Sequence, residues 1–138
     1  MQILKFQESD RNEVVALWRQ CNLISSTNDP NKDINRKLKC DPDLFLVGRV
    51  EGQIVATIMG GYEGHRGWVN YLAVSPEHQR KGYAKILMNK IEDLLLKMEC
   101  PKINLQVRET NQQVIGFYHA IGYQVDPVTS FGKRLIKD

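Results

Sequence analysis

The stretch Trp68-Val69-Asn70-Tyr71-Leu72-Ala73-Val74 runs through Ser75-Pro76 into Glu77-His78-Gln79-Arg80-Lys81-Gly82-Tyr83-Ala84, and from there to Met98. Its first seven residues are rich in β-branched and aromatic side chains and stop at a proline, the pattern of a strand closed by a turn. Ala84, Leu87, Ile91, Leu94, Leu95 and Met98 then recur at helical spacing on one face. Between the two lies a basic loop with a glycine inside it. Main-chain N–H groups at a helix start have no intrahelical partner, and the helix dipole adds positive charge there. Strand, basic glycine loop and helix therefore predict an anion site held by main chain.

The rest of the chain gives this unit its neighbours. Gln2–Phe6 predicts a short strand, and Asp10 with Glu13 predicts a capping box opening a helix whose apolar stripe is Val14, Leu17, Trp18 and Cys21. Residues 22–28 are polar and loop-like. Asp29-Pro30 then offers a cap and a first-turn proline for a second helix that carries Ile34 and Leu38 inward and ends at Asp41-Pro42. Leu44–Val50 and Gln53–Gly60 predict two strands around a Glu51-Gly52 turn. Four glycines fall in the eight residues 60–67, which predicts a loop leading to Trp68. Beyond Cys100-Pro101, Ile103, Leu105 and Val107 alternate as a strand. Asn111 opens a helix with Val114, Phe117, Tyr118 and Ile121 on one face and Gly122 as its terminator. Tyr123–Val125 and Phe131–Ile136 predict two closing strands.

The element order is β-α-α-β-β-β-α-β-α-β-β, an α+β arrangement with helices on both faces of a mixed sheet. A long helix joins the strand ending at Val74 to the one beginning at Ile103, so these two should run parallel. At 138 residues, the whole chain, 1–138, is expected to form a single domain. Hydrophobic residues make up 42% and charged residues 25%, a globular balance with no transmembrane span and no signal peptide, so the expected location is cytoplasmic. A net charge of +3 is too small to imply a nucleic-acid partner. Cys21, Cys40 and Cys100 are widely spaced and form no C-x-x-C pair, which speaks against a disulfide framework and a zinc site; no metal is expected.

Gln79-Arg80-Lys81-Gly82-Tyr83-Ala84 resembles the Gln/Arg-x-x-Gly-x-Gly/Ala acyl-CoA loop of the GNAT superfamily of N-acetyltransferases. Leu72-Ala73-Val74-Ser75-Pro76 resembles the family's fourth strand. Asn111-x-x-Val114-x-x-Phe117-Tyr118-x-x-x-Gly122-Tyr123 resembles its second CoA-contacting motif. The glycine loop and the ending Ser130-Phe131-Gly132-Lys133-Arg134-Leu135 are similar to the YpeA-like bacterial branch.

The resemblance implies a GNAT-like, mostly antiparallel sheet with a central parallel strand pair that splays apart. It also implies acetyl-CoA as co-substrate and direct transfer of the acetyl group to a primary amine: a small amine, a peptide N-terminus or a lysine. Backbone N–H groups of Arg80, Gly82, Ala84 and Lys85 would face the pyrophosphate, with Gln79, Lys81 and Tyr83 in the same cradle. Leu72, Ala73 and Val74 would present main chain to the pantetheine arm, and Asn111 and Phe117 would lie along it. Tyr118 would protonate the departing thiolate, since a phenol with a reference pKa near ~10 keeps its proton at neutral pH. Its competing reading is a half-buried core tyrosine.

Where some family members place a glutamate as general base, early in the fourth strand, this chain has Trp68. Glu63 and His65 in the glycine loop are the candidate bases, with a water relay as the alternative. The acceptor site is expected between the loop joining the first two helices and the glycine loop, near Trp18, Asn28, Asp29 and Tyr62, although Trp18 also reads as core and Asp29 as a helix cap. The missing glutamate keeps a second function open, a non-catalytic acyl-CoA-binding module or sensor. Lys133, Arg134 and Lys137 raise a third, an RNA-borne amine. A homodimer is the assembly the sequence allows for.

Overall fold

The computed structural model describes residues 1–138. A five-stranded sheet runs in the order β1 (Gln2–Lys5), β2 (Phe45–Val50), β3 (Gln53–Tyr62), β4 (Gly67–Val74), β5 (Ile103–Asn104). The first four strands are antiparallel neighbours, and β4 and β5 are parallel. The helices are α1 (Arg11–Gln20), α2 (Pro30–Lys37), α3 (Tyr83–Lys97) and α4 (Gln112–Ala120).

Strand alternation divides the core in two. Phe45 and Val47 of β2 face α1 and α2, where they meet Val14, Trp18 and Ile34. Leu44, Leu46 and Ile58 face the other way and pack on Leu87, Met88, Ile91 and Leu95 of α3. Helices thus cover both faces, as the element order predicted. Gly60 marks how closely α3 lies on the sheet: a Cβ there would stand 2.9 Å from the Ile91 Cδ1. Gly60 and Gly61 consequently belong to β3 and not to a loop; the turn is confined to Glu63–Arg66.

Other expectations change in detail. Asp10 does not cap α1. Its carboxylate accepts the Gln7 N–H (2.9 Å) and pairs with Arg49 (2.6 Å), while Glu13 accepts the Ile54 N–H (3.2 Å). Asp10 thus closes a capping box one turn earlier, with Gln7, and also reaches Arg49 of β2, while Glu13 bonds the β3 main chain. Asp29 does cap α2, accepting the Asn31 and Lys32 N–H groups. Ile34 is fully buried, but Leu38, at the α2 C-cap, is exposed.

The largest difference is at the C-terminal end. β5 stops at Asn104, and neither Tyr123–Val125 nor Phe131–Ile136 forms a strand. Residues 123–138 carry no ladder pairing. Side chains alone bridge this segment to the β5 region, with Lys102 on Asp126 (2.6 Å) and Gln106 on Ser130 (2.5 Å).

Candidate active site

β4 and β5 pair only at Gly67/Ile103 and Trp68/Asn104, yet β4 continues to Val74. The parallel pair therefore opens into a V beyond Trp68. Within that V the main chain of β4 is directed by its pairing to β3. The Ser75 N–H donates to the Val55 C=O (2.8 Å), so residues 73 and 75 bond toward β3. Alternation turns the main-chain groups of Leu72 and Val74 to the open side. The Val74 carbonyl accepts from the Gln79 side chain (3.1 Å) and from the Cys21 thiol (3.4 Å), which ties the loop and the end of α1 to the strand.

A bulge sets this geometry. Met59 pairs with Asn70 but Thr57 pairs with Ala73, so β4 spends an extra residue, and Tyr71 takes φ 50°. Bulges of this kind bend a strand and re-aim its side chains. Tyr71 swings to the α1 face, where its ring stacks on Trp18 with centroids 3.8 Å apart. Its hydroxyl donates to Asp33 of α2 (2.6 Å). Burial and that carboxylate push the Tyr71 phenol well above its usual range. Beneath it, the Trp18 Nε1–H donates to the Thr57 hydroxyl (2.9 Å), which donates on to the Tyr71 carbonyl (2.9 Å).

After β4 the chain passes through a single 3-10 turn, Pro76–His78, and enters α3 through two left-handed residues, Arg80 (φ 65°) and Gly82 (φ 82°). Gly82 is the N-cap residue, and the first helical hydrogen bond runs from the Ile86 N–H to its carbonyl. The N–H groups of Tyr83, Ala84 and Lys85 precede that bond and have no carbonyl of the helix to meet. No acidic residue lies in the first turn. Strand end, left-handed loop and helix start together form a concave array of main-chain donors.

Across the V, α4 brings Phe117 and Tyr118 against the same apolar cluster that Leu72, Val74 and Tyr83 border. Asn111 caps α4, its side chain accepting the Val114 N–H (3.3 Å). Tyr118 packs edge-on to Phe117 and Tyr123, and its burial pushes the phenol up to about 12. Tyr123 is fixed separately, donating to Glu92 (2.7 Å).

This geometry belongs to a known family. The chain matches the model of the acetyltransferase (GNAT) family over residues 11–123. It is a GNAT acetyltransferase. An acetyltransferase of Yersinia enterocolitica is 48% identical to it over 138 residues, all of this chain and 98% of that protein. A PaiA N-acetyltransferase of Thermoplasma acidophilum, solved in complex with coenzyme A, has the same fold. Its TM-score is 0.81 at 18% identity, over 93% of this chain and 92% of that one. A ribosomal-protein-alanine N-acetyltransferase of Brucella melitensis also shares it, with a TM-score of 0.76 at 20% identity over 97% and 98% of the two chains.

In this acetyltransferase the two candidate bases stand apart from the rest of the site. Glu63 and His65 sit on the turn before Gly67, and about 16 Å of strand separates Gly67 from Leu72 at ~3.3 Å per residue. The exposed Glu63 carboxylate accepts the Arg66 and His65 N–H groups of its own turn, which hold it below the usual carboxylate range. Glu63 thereby closes its own turn. Trp68 is partly exposed at the mouth of the parallel pair. Of the acceptor candidates, Trp18 is core and Asp29 is a cap, while Tyr62 donates its hydroxyl to Gly64 within the same remote turn. Tyr71 and Asp33 escaped the sequence reading. Their partnership spans 38 positions, and only the bulge, which depends on pairing with β3, brings them together.

Proposed function

We propose that this chain transfers an acetyl group from acetyl-CoA to a primary amine by direct attack in a ternary complex, as one catalytic domain acting in the cytoplasm. The observation that carries this reading is the unpaired edge of β4 at Leu72 and Val74, opening directly beside the left-handed helix start at Gly82. An extended pantetheine arm adds to such an edge as a strand would. The pyrophosphate takes the free N–H groups of residues 80–85, with Arg80, Lys81 and Lys85 adding charge. The pantetheine runs between Leu72–Val74 and the α4 residues Asn111 and Phe117.

A neutral amine attacks the thioester carbonyl, the oxyanion takes a main-chain donor near Leu72, and the C–S bond breaks. Tyr118 delivers its proton to the thiolate; at about 12 its phenol stays protonated through the working pH range. The proton lost by the amine leaves through water, because Trp68 occupies the position of a base and Glu63 is bound within its own turn. Tyr71, Asp33 and Asn28 form the wall of the acceptor side. No His, Cys, Asp or Glu cluster gathers to hold a metal, and the reaction as drawn needs none. No helix is long and apolar enough to cross a membrane.

A panel of small amines, peptide N-termini and lysine peptides, assayed with acetyl-CoA for free thiol, tests the reading. Amine-dependent thiol release is expected. Trp68 in place of a carboxylate favours a second reading, a non-catalytic acyl-CoA sensor. In that case acetyl-CoA would raise the melting temperature while no amine released thiol.

A further inference from the structure

Asp138 lies against α2, where the Arg36 guanidinium holds its carboxylate with two donors, Nη2 to Oδ1 (2.7 Å) and Nη1 to Oδ2 (3.1 Å). The Asp29 N–H adds a longer bond to Oδ2 (3.4 Å). A planar fork of donors with a main-chain N–H beside it is shaped for a carboxylate. Arg36 holds the Asp138 carboxyl down at about 2, so the contact is ionic throughout the working pH range. The two partners are unequally covered: the Asp138 side chain is 3% exposed and the Arg36 side chain 51%. A carboxylate is enclosed there, while the guanidinium that holds it stays open to solvent.

The open side of Arg36 borders a cavity of about 520 Å³, which residues 132–136 line opposite it. Arg36, Lys133 and Arg134 are its charged residues, all cationic, with no acid among the lining. Such a wall attracts anions. The cavity is also tied to the acceptor side of the site. The Arg36 Nη1 donates to Asp33 Oδ1 (3.2 Å), and Asp33 Oδ2 accepts the Tyr71 hydroxyl (2.6 Å). Arg134 donates to the Asn28 side chain (3.0 Å). Two of the three cations therefore hold the side chains that wall the acceptor, and Tyr71 directly precedes Leu72 on the open edge of β4.

We propose that Arg36 selects the acceptor: the amine substrate carries a carboxylate, which takes the place of Asp138 on the guanidinium, and Asp138 is the chain's own stand-in for it. The exchange is charge for charge, so the guanidinium is never left without a counter-charge, and the released Asp138 carboxylate passes into water. Asp33 keeps its bond to Arg36 throughout, which holds the fork in place beside Tyr71. Lys133 and Arg134 draw the anion in. An acceptor with an amide in place of the acid cannot displace Asp138 and gains nothing from the fork. The inference rests on the acetyl-transfer reading for the amine, but the carboxylate site is argued from Arg36 and Asp138 alone.

The test has a kinetic arm and a binding arm. Amino acids of graded length are compared with their own carboxamides as acceptors, with free thiol as the readout. The acids should be preferred in kcat/KM by about tenfold or more, the effect of one charge-assisted pairing. Asp138→Asn keeps the shape of the stand-in and removes its charge, so KM for the acids should fall while KM for the amides stays level. Arg36→Lys keeps the charge but loses the fork, and should erase most of the preference with little change in melting temperature, since the side chain is half exposed. In the binding arm, calorimetry without acetyl-CoA compares N-acetylglycine with N-acetylglycinamide. The acid should bind Asp138→Asn about tenfold more tightly than the parent, and the amide should bind both alike. Equal use of acid and amide acceptors, or equal binding of N-acetylglycine by the parent and Asp138→Asn, would overturn the proposal. If no amine releases thiol but N-acetylglycine still favours Asp138→Asn, the carboxylate site holds and the transfer reading is the one that falls.

Discussion

The Tyr71 hydroxyl donates to the Asp33 carboxylate over 2.6 Å and so fastens the kink of β4 to α2. Tyr71 lies in the left-handed region at φ 50°, a conformation that costs a non-glycine residue about 1 kcal/mol or more. The Trp18 stack and the Asp33 bond offset that cost. Tyr71→Phe keeps the stack and removes the bond. It should destabilise the fold by about 1–2 kcal/mol, the range for a partly exposed hydrogen bond to a charged group. Combined with Asp33→Asn, the loss should be less than additive in denaturant melts.

Thr57 sits underneath the same kink, fully buried, and joins the Trp18 indole to the Tyr71 carbonyl. Thr57→Val preserves shape but leaves a buried donor and a buried acceptor unpaired. A cost of roughly 2–4 kcal/mol follows from ~1–2 kcal/mol for each group. Equilibrium urea unfolding would measure it, and a loss under 1 kcal/mol would mean that the network does not hold the bulge.

How far the sequence reveals this architecture depends on how local each feature is. The strand to Val74, the glycine before the helix and the apolar stripe from Leu87 to Leu95 are all set within a few residues of one another, and all are legible. Asp29 as a cap is legible for the same reason. The Tyr71 kink is not, because an extra residue in β4 has meaning only against the register of β3. Asp10 and Glu13 mislead in the opposite way: their spacing fits a capping box, but Arg49 and the Ile54 N–H, distant in sequence, compete for them. Phe131–Ile136 has the composition of a strand and forms none, because composition alone does not supply an edge to pair with. In the site, the cradle at residues 79–85 and the Phe117-Tyr118 pair were readable as motifs. The bonds that tie Glu63 into its own turn are not legible in the same way, because they depend on how the backbone turns at residues 63–66.

The helix start at Gly82 supplies a separate prediction. A Cβ there meets nothing within 4 Å, so Gly82→Ala tests backbone conformation without a clash. At φ 82° the alanine should cost about 1 kcal/mol and turn the N–H groups of residues 80–85 out of alignment. KM for acetyl-CoA should rise about tenfold or more, equal to ~1.4 kcal/mol of lost binding. The rise in melting temperature on adding coenzyme A should shrink with it, and an unchanged KM would place the pyrophosphate elsewhere.

Tyr118 is to be tested by chemistry and not by fold. Its hydroxyl makes no hydrogen bond within the chain, so Tyr118→Phe should leave the melting temperature close to that of the parent. If the phenol protonates the leaving thiolate, kcat should fall by about 10²-fold or more while KM for acetyl-CoA changes little. A normal kcat in the Phe variant would return Tyr118 to the role of a packing residue.

The same phenol fixes a pH dependence. Burial raises Tyr118 from 10.0 to about 12, and Tyr71 and Tyr123 are also raised, each by burial and a carboxylate partner. For such a group the neutral form is the one the fold prefers. Below pH ~10 both folded and unfolded chains carry the proton, and stability is unaffected by these residues. Above it the unfolded chain releases protons that the folded chain retains, so the unfolded state binds fewer and stability falls with each further pH unit. The melting temperature should therefore be level from neutral pH to about 10 and drop beyond it, and the drop should be shallower in Tyr71→Phe. Catalysis should show the complementary trend, with no descending limb from loss of the acid below pH 10. A kcat profile that bends down near pH 8 or 9 in the parent, and persists in Tyr118→Phe, would assign the titrating group to another residue.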